Sequence, residues 1–200
     1  MSPPELILAS RSPRRAELLT QMGLPFTTVV TDMDETRLPG EAPVAYVRRL
    51  SEGKAKLGFR PGSVSIGSDT IVLVDDEILG KPDGPTQGQA MLTRLAGRSH
   101  EVVTGVSVYD GRNHATDHVT STVWFRRMDA AEIAAYWHTG EGRDKAGSYG
   151  IQGIGGILVE RIEGSFSAVM GLPVHETDVL LKSLNVDTWG IRKRWLKNSS

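Results

Sequence analysis

Short apolar runs and amphipathic stretches alternate along the first third of the chain. Leu6 to Ala9 is a short apolar run typical of a buried strand. A helix is predicted to follow it, with Ser12 as the N-cap and Gly23 closing the helix. A second strand is expected over Phe26 to Val30, and apolar positions then recur at helical spacing from residue 42 to residue 58.

The same alternation continues to the end of the chain. β-branched stretches predict further strands at 64–66 and 71–74, at 102–109 and 116–125 across a DGRN turn, and near 157–162. Helical periodicity predicts helices at 87–96, 129–138 and 173–184. Strands interleaved with helices, together with one antiparallel pair, predict an α/β protein with a mixed sheet.

Composition and charge narrow the classes of function. The chain has 200 residues, enough for one substantial core or for two lobes that share a sheet. Its net charge of -1 gives no global positive field, so we expect no nucleic-acid partner and no anionic membrane surface as partner. Absence of cysteine excludes disulfides, thiolate metal sites and a cysteine nucleophile. No signal peptide or membrane span is predicted, so a cytoplasmic location is the default expectation.

Two adjacent arginines stand at the start of the first helix. Helix N-termini carry a positive dipole end, so Arg14 and Arg15 are unfavourable there unless a negative group binds to them. A phosphate suits such a place, because free backbone N–H groups converge there and a guanidinium can bind two oxygens at once. The alternative is that both are solvated surface residues.

Asp69 and Thr70 interrupt a hydrophobic, β-branched run. Burying two polar side chains there costs folding free energy, unless they are exposed at a strand end or have a role in function. A carboxylate at the carboxyl end of a strand is well placed to hold a metal ion or activate water. Lys81, between Gly80 and Pro82, is a candidate phosphate cation.

Three further candidates come from other stretches of the chain. Glycines between 144 and 153 could let the backbone approach a ligand closely, with plain loop flexibility as the alternative, and Gln152 among them could read a base edge. Glu35 and Lys54 add one carboxylate and one cation. The chain has no GxxxxGK[ST] phosphate loop, no GxSxG elbow and no HExxH motif.

Taken together, these stretches resemble a known family. The segments LILASRSPRRAELL, TDMDET, IGSDTIVLVDDEILGKP, RLAGRSHEVVTGV and DKAGSYGIQGIGG with GSFSAVMGLPVHET look like the successive signatures of the Maf family of nucleoside triphosphate pyrophosphatases. The resemblance runs in order from about Leu6 to Leu181. Residues 1–187 are therefore expected to form one Maf-like domain of two lobes, and residues 188–200 a basic, solvated or frayed tail.

The resemblance implies an elongated mixed sheet with flanking helices, two lobes around a central cleft, and kinship with inosine triphosphate pyrophosphatases. It also implies hydrolysis of a nucleoside triphosphate to the monophosphate and pyrophosphate with a divalent cation, Mg or Mn, with Co possible. One branch of the family prefers dTTP and UTP, and another prefers 7-methyl-GTP. Arg14, Thr70 and Gln152 match the trio associated with the pyrimidine branch.

When the family's residues are matched to this chain by position, the resemblance implies that Asp69 is the general base. It implies three sets of site residues: Asp69, Glu35, Lys54 and Lys81 are catalytic, Ser10, Arg14, Thr70 and Gln152 bind the substrate, and Asp69 and Glu35 bind the metal. Residue chemistry alone leaves open which carboxylate is the base and which holds the metal. Small departures from the family pattern stand at Arg11, Gly53 and Ser148.

The sequence is also compatible with two other functions. One is a nucleotide-binding regulator of cell division with little catalysis; the other, disfavoured by charge, is a nucleic-acid binder using the basic tail. A homodimer is common among relatives in the family.

Overall fold

The computed structural model describes residues 3–198, and this part of the chain contains seven strands and seven α-helices. The strands are β1 (Glu5–Ala9), β2 (Thr27–Val29), β3 (Ser63–Val74), β4 (Glu77–Leu79), β5 (Ser99–Tyr109), β6 (His114–Phe125) and β7 (Val159–Glu163). The helices are α1 (Pro13–Gln21), α2 (Pro43–Gly58), α3 (Pro85–Leu95), α4 (Ala130–His138), α5 (Phe166–Met170), α6 (Val174–Ser183) and α7 (Thr188–Asn198).

All seven strands belong to one mixed sheet in the order β2-β1-β3-β5-β6-β7, with β4 paired to β3. β1 runs parallel to both β2 and β3, whereas β4 is antiparallel to β3 and β7 is antiparallel to β6. The predicted mixed α/β fold is therefore confirmed. No helix within residues 3–198 is both long and apolar enough to cross a membrane.

The chain divides into two compact units. The first contains the residues up to Asp69, the segment Thr104–His118 and the residues from Gly171 onward; the second contains Thr70–Val103 and Val119–Met170.

The first unit is built on the parallel strands at its centre. Leu6 to Ala9 are all at most 2% exposed, as expected of a strand with neighbours on both sides and helices on its faces. Helix α2 lies close to β3, because a Cβ atom on Gly67 would come within 2.2 Å of the Ser51 carbonyl oxygen. Only glycine permits this approach, so Gly67 sets the distance between α2 and the sheet.

An apolar cluster forms the core of the second unit. It contains Val72, Leu92, Leu95, Phe125 and Leu158, and the rings of His100, Phe125 and Tyr149 pack edge to face within it.

The prediction of two short strands separated by GSDT was wrong, because β3 runs unbroken through those residues. The polar side chains are tolerated since they find partners: the Ser68 hydroxyl lies 2.8 Å from the carbonyl oxygens of Gly105 and Gly171. Asp69 pairs with Lys54.

A frayed tail was also the wrong expectation for residues 188–198, which form helix α7. Ile191 on this helix is 4% exposed. The Arg192 guanidinium donates to the Met22 carbonyl at 2.8 Å and pairs with Asp178 at 2.7 Å, which attaches α7 to the first unit. The last two positions, 199 and 200, lie outside the described residues.

Candidate active site

One ammonium group joins the two carboxylates that the sequence singled out. The Lys54 Nζ atom lies 2.6 Å from Oδ1 of Asp69 and 2.7 Å from Oε1 of Glu35. Lys54 and Asp69 side chains are each 11% exposed, whereas the Glu35 side chain is 54% exposed. The arrangement therefore reaches from the interior of the first unit to solvent, with a positive charge held between two negative ones.

Strand register explains why Asp69 can be reached. β1 pairs with β3 only as far as Ala9 opposite Gly67, so Asp69 lies two residues beyond the end of that pairing. Ser10 follows directly after β1 at the same edge. Asp69 therefore lies past the carboxyl end of its parallel neighbour even though its own strand continues, which is the place where α/β proteins usually carry their chemistry.

Arg15 has a structural position that the sequence did not reveal. Its Nε donates to the Gly171 carbonyl at 2.8 Å, and its Nη1 lies 3.4 Å from the Ser10 hydroxyl. Burial lowers the pKa of Arg15, and the charge of Asp69 opposes that shift. The alternative that Arg15 is a solvated surface residue is therefore wrong.

Ser10 is 6% exposed, and its hydroxyl accepts a hydrogen bond from the Ser12 backbone N–H at 3.1 Å. Ser12 holds the N-cap position that the sequence predicted, but its side chain makes no capping hydrogen bond. Arg14 is half-buried one residue before Arg15, and its positive charge adds to the lowering of the Arg15 pKa.

The segment that carries Glu35 has no regular structure, but it is attached to α2 at several points. Tyr46 Oη donates to the Glu35 carbonyl at 2.7 Å. Arg49 forms two hydrogen bonds to the Glu41 carboxylate and lowers the pKa of Glu41 to about 2. Arg49 also donates to the Thr36 carbonyl at 3.0 Å.

Met33 lies over Gly53 in the same segment. A Cβ atom on Gly53 would stand 2.6 Å from the Met33 Cε atom. Gly53 therefore makes room for Met33, which lies two residues before Glu35. Gly53 is also one of the positions where the chain departs from the family pattern.

Lys81, Thr70 and Gln152 belong to the second unit. The Gly147 N–H donates to the Gly80 carbonyl at 3.1 Å, which joins the segment of Lys81 to the glycine-rich segment that leads to Gln152. Gln152 is exposed on a turn between two short 3-10 helices, 146–148 and 154–158. Thr70 is half-buried and follows Asp69 in β3, so their side chains point to opposite faces of the strand.

Two glycines of this segment make room for other side chains of the protein. A Cβ atom on Gly153 would stand 1.6 Å from Oε1 of Glu141, and one on Gly155 would stand 2.6 Å from the Tyr136 hydroxyl. The backbone lies against the two side chains at both points.

Asp69 and Glu35 are the residues that could hold a divalent cation. No group of three or more His, Cys, Asp and Glu side chains suited to a metal occurs among residues 3–198. Asp69 and Glu35 contact the same ammonium group, and two carboxylates are the usual protein share of a Mg²⁺ site, which phosphate oxygens and water complete. The donors present suit a cation that arrives with a polyphosphate.

The chain matches the family described as Maf-like protein over residues 5–184. It belongs to that family. A protein of Vibrio cholerae named dTTP/UTP pyrophosphatase is 52% identical over 181 residues, which cover 88% of this chain and 96% of that protein. Proteins of the same name from Alcanivorax borkumensis and Pseudoalteromonas atlantica are 50% and 48% identical, covering 93% and 90% of this chain and 98% and 97% of their own lengths.

Among solved structures, the Ham1 protein of Staphylococcus aureus is similar over 60% of this chain and 71% of its own, with a TM-score of 0.43 and 15% identity. Similarity at this level bears on neither the fold nor the activity of the Maf-like chain.

The sequence did not point to three groups of residues around the candidate site. Arg15 was not among the predicted site residues, and its hydrogen bond to the Gly171 carbonyl joins positions 156 residues apart, which leaves no local pattern in the sequence. Tyr46 and Met33 act through a backbone carbonyl and a van der Waals contact, neither of which leaves a pattern in the sequence. Glu141 was not singled out, because its hydrogen bonds to Tyr136, Ile154 and Gly155 leave no pattern in the sequence.

Proposed function

We propose that this Maf-like protein is a nucleoside triphosphate pyrophosphatase that hydrolyses dTTP and UTP, and modified pyrimidine nucleotides, to the monophosphate and pyrophosphate. The observation that carries the proposal is the buried Lys54–Asp69 pair with Glu35 at its solvent side. Near full-length relatives named dTTP/UTP pyrophosphatase at about half identity support the same activity and the choice of pyrimidine nucleotides.

Asp69 is the base in the proposed reaction. The oxygen of a water molecule attacks the α-phosphorus, the bond from that phosphorus to the α,β-bridging oxygen breaks, and pyrophosphate leaves with its electron pair. The water proton passes to an Asp69 carboxylate oxygen. Lys54 fixes the carboxylate by holding Oδ1 at 2.6 Å, which keeps the acceptor in one orientation before substrate arrives.

Glu35 and Asp69 would hold a divalent cation, Mg or Mn, with Co as a substitute in vitro. When bound, the cation neutralises phosphate charge and polarises the phosphorus–oxygen bonds. Lys54 contributes a fixed positive charge beside the same carboxylates. Phosphate oxygens would therefore bind where positive charge is already in place before the reaction.

The remaining residues bind the substrate in this proposal. Arg14 at the start of α1 and Lys81 meet phosphate oxygens, and the backbone N–H groups of the first helical turn add donors. Ser10 keeps its hydroxyl proton available, because its oxygen already accepts from Ser12. Thr70 and Gln152, together with Arg14, discriminate the base.

The test is pyrophosphate release from dTTP, UTP, CTP, GTP and 7-methyl-GTP, each with and without Mg or Mn. Metal-dependent turnover led by dTTP and UTP supports the proposal. Preference for 7-methyl-GTP would retain the chemistry and overturn the base assignment. Absence of turnover with every nucleotide, in a protein that still binds them, would favour a nucleotide-binding regulator of cell division.

A further inference from the structure

The Glu141 carboxylate is hydrogen-bonded by groups on both sides of the glycine-rich segment. Oε1 accepts from the Ile154 N–H at 2.9 Å, and Oε2 accepts from the Gly155 N–H at 2.7 Å. Oε2 also accepts from the Tyr136 hydroxyl at 2.7 Å. Two consecutive backbone amides and one phenol thus converge on one side chain, and hydrogen bonds to a charged acceptor are stronger than neutral ones.

Tyr136 extends this set of contacts to the other end of the turn. Its hydroxyl oxygen accepts from the Gly150 N–H at 3.1 Å while its proton goes to Glu141. Burial and the hydrogen bond to Glu141 raise the pKa of Tyr136 above its ordinary value, which is itself well above neutral pH, and the phenol therefore stays protonated. The backbone is therefore held at residue 150 through Tyr136 and at residues 154 and 155 through Glu141.

Gln152 lies midway between these attachment points. Gly153, next to it, has no room for a side chain because Oε1 of Glu141 occupies the place of a Cβ atom. The Glu141 carbonyl also accepts from Lys145 Nζ, which fixes Glu141 within its own segment. The turn 151–153 is consequently held on both sides by hydrogen bonds to Tyr136 and Glu141, while Gln152 itself is exposed.

We propose that Glu141 is a positioning residue for recognition of the base: it fixes the turn that presents Gln152, and so sets the preference of the site for dTTP and UTP. This inference rests on the proposed function, because it assigns a role to the turn in that reaction. Nothing in the role requires Glu141 to touch the substrate, and it acts through the backbone on either side of Gln152.

Glu141→Gln is the central variant. An amide keeps the size of the side chain but places an NH₂ group toward backbone N–H donors, so at least one of the three hydrogen bonds is lost. We expect the ratio of kcat/KM for dTTP to that for CTP to fall about tenfold, mainly through KM for dTTP. Glu160→Gln, an exposed glutamate of the same unit, is the matched control and should leave the ratio unchanged.

A double-mutant cycle separates positioning from general support of the fold. If Glu141 acts through Gln152, Glu141→Gln should change the dTTP to CTP ratio in the wild type but not in a Gln152→Ala background. Equal losses for all nucleotides, or additive effects of the two substitutions, would overturn the proposal. Tyr136→Phe, which removes one bond to the carboxylate, should shift the ratio in the same direction by a smaller factor.

Amide hydrogen exchange keeps the inference testable without turnover. In Glu141→Gln, the amides of Ile154 and Gly155 should exchange at least about tenfold faster than in the wild type, while core amides stay protected. Unchanged exchange would overturn the inference. Wild-type protein that releases no pyrophosphate from any nucleotide would instead refute the proposed function, and with it the specificity role, while exchange still reports whether Glu141 holds the turn.

Discussion

The Lys54 ammonium group lies 2.6 Å from Oδ1 of Asp69, and both side chains are almost fully buried in the first unit. A buried charge is costly unless it is paired, so each of these residues makes the other tolerable. Glu35 contacts the same ammonium from the solvent side. The site thus combines a buried ion pair with a solvent-exposed carboxylate that contacts the same ammonium group.

Asp69→Asn should remove most turnover while the protein still folds, because an amide oxygen can still accept from Lys54. We expect kcat to fall at least about a hundredfold, the size of effect typical of losing a general base. Pyrophosphate release and thermal melting measure the two halves of this prediction. Asp117→Asn, at an exposed carboxylate, is the control, and an Asp69→Asn enzyme with wild-type turnover would refute the assignment.

Glu35→Gln should leave stability within about 0.5 kcal/mol of the wild type, because the side chain is 54% exposed. Activity should fall, and the concentration of Mg needed for half-maximal rate should rise, because one of two carboxylates available to the cation is lost. Rates measured across a magnesium titration test this. An unchanged magnesium requirement would exclude Glu35 as a metal ligand.

The adjacent arginines should behave differently when each is replaced. Arg14→Ala is expected to raise KM or lower kcat without a change in melting temperature. Arg15→Ala should lower the free energy of unfolding by about 1–2 kcal/mol, because the Gly171 carbonyl loses a charged donor and keeps only the Ser68 hydroxyl, which it shares with the Gly105 carbonyl. Denaturant unfolding and steady-state kinetics on the two variants provide the comparison. The reverse pattern would exchange the two roles.

Gly53→Ala tests whether Met33 positions the Glu35 segment. In the middle of α2, alanine is expected to raise the free energy of unfolding by about 1 kcal/mol relative to glycine. The added methyl group, however, would clash with the Met33 side chain. The single variant should therefore gain less than this amount and show a higher KM. In a Met33→Ala background the same change should give the full gain. An equal gain in both backgrounds would show that Met33 does not press on Gly53.

The buried imidazole of His100 makes stability depend on pH. Burial lowers the pKa of His100 from 6.5 to about 4, and the nearby charge of Arg98 adds to the shift. Between pH 6.5 and about pH 4, His100 is protonated in the unfolded chain but stays neutral in the folded chain. The free energy of unfolding therefore falls as the pH drops through this range. The loss should approach about 3 kcal/mol below pH 4.

Urea unfolding at several pH values measures this dependence. His100→Gln should flatten the dependence between pH 4 and pH 6.5, whereas His114→Gln, at an exposed histidine, should not. A slope that survives in His100→Gln would place the titrating group elsewhere.

Ser148→Ala should stabilise the protein by about 1 kcal/mol, because the Ser148 hydroxyl is fully buried and makes no hydrogen bond within the described residues. Ser107 is equally buried but accepts from the Thr116 hydroxyl at 2.9 Å, so Ser107→Ala should destabilise by a similar amount. Opposite signs in urea unfolding are the expected result. A loss of stability in Ser148→Ala would mean that its hydroxyl is bonded in solution.

Local periodicity determined which elements form. Apolar runs such as Leu6 to Ala9 and the β-branched stretches of β3 predicted their strands, and the DGRN turn between β5 and β6 is present, with the Asp110 carboxylate accepting from the N–H groups of Arg112 and Asn113. These features depend on residues close in the chain, so the sequence carries them directly. The motifs also determined the family, which the match over residues 5–184 confirmed.

Only the tertiary structure decided how distant residues meet. Strand β3 runs through Asp69 because Lys54 from α2 supplies a charge there, and residues 188–198 form a helix because α7 finds Met22 and Asp178 to bind. The glycines around Gln152 are needed because Glu141 and Tyr136 occupy the adjacent space. Each outcome depends on a partner far away in the sequence or across a turn, and a one-dimensional pattern does not specify such partners.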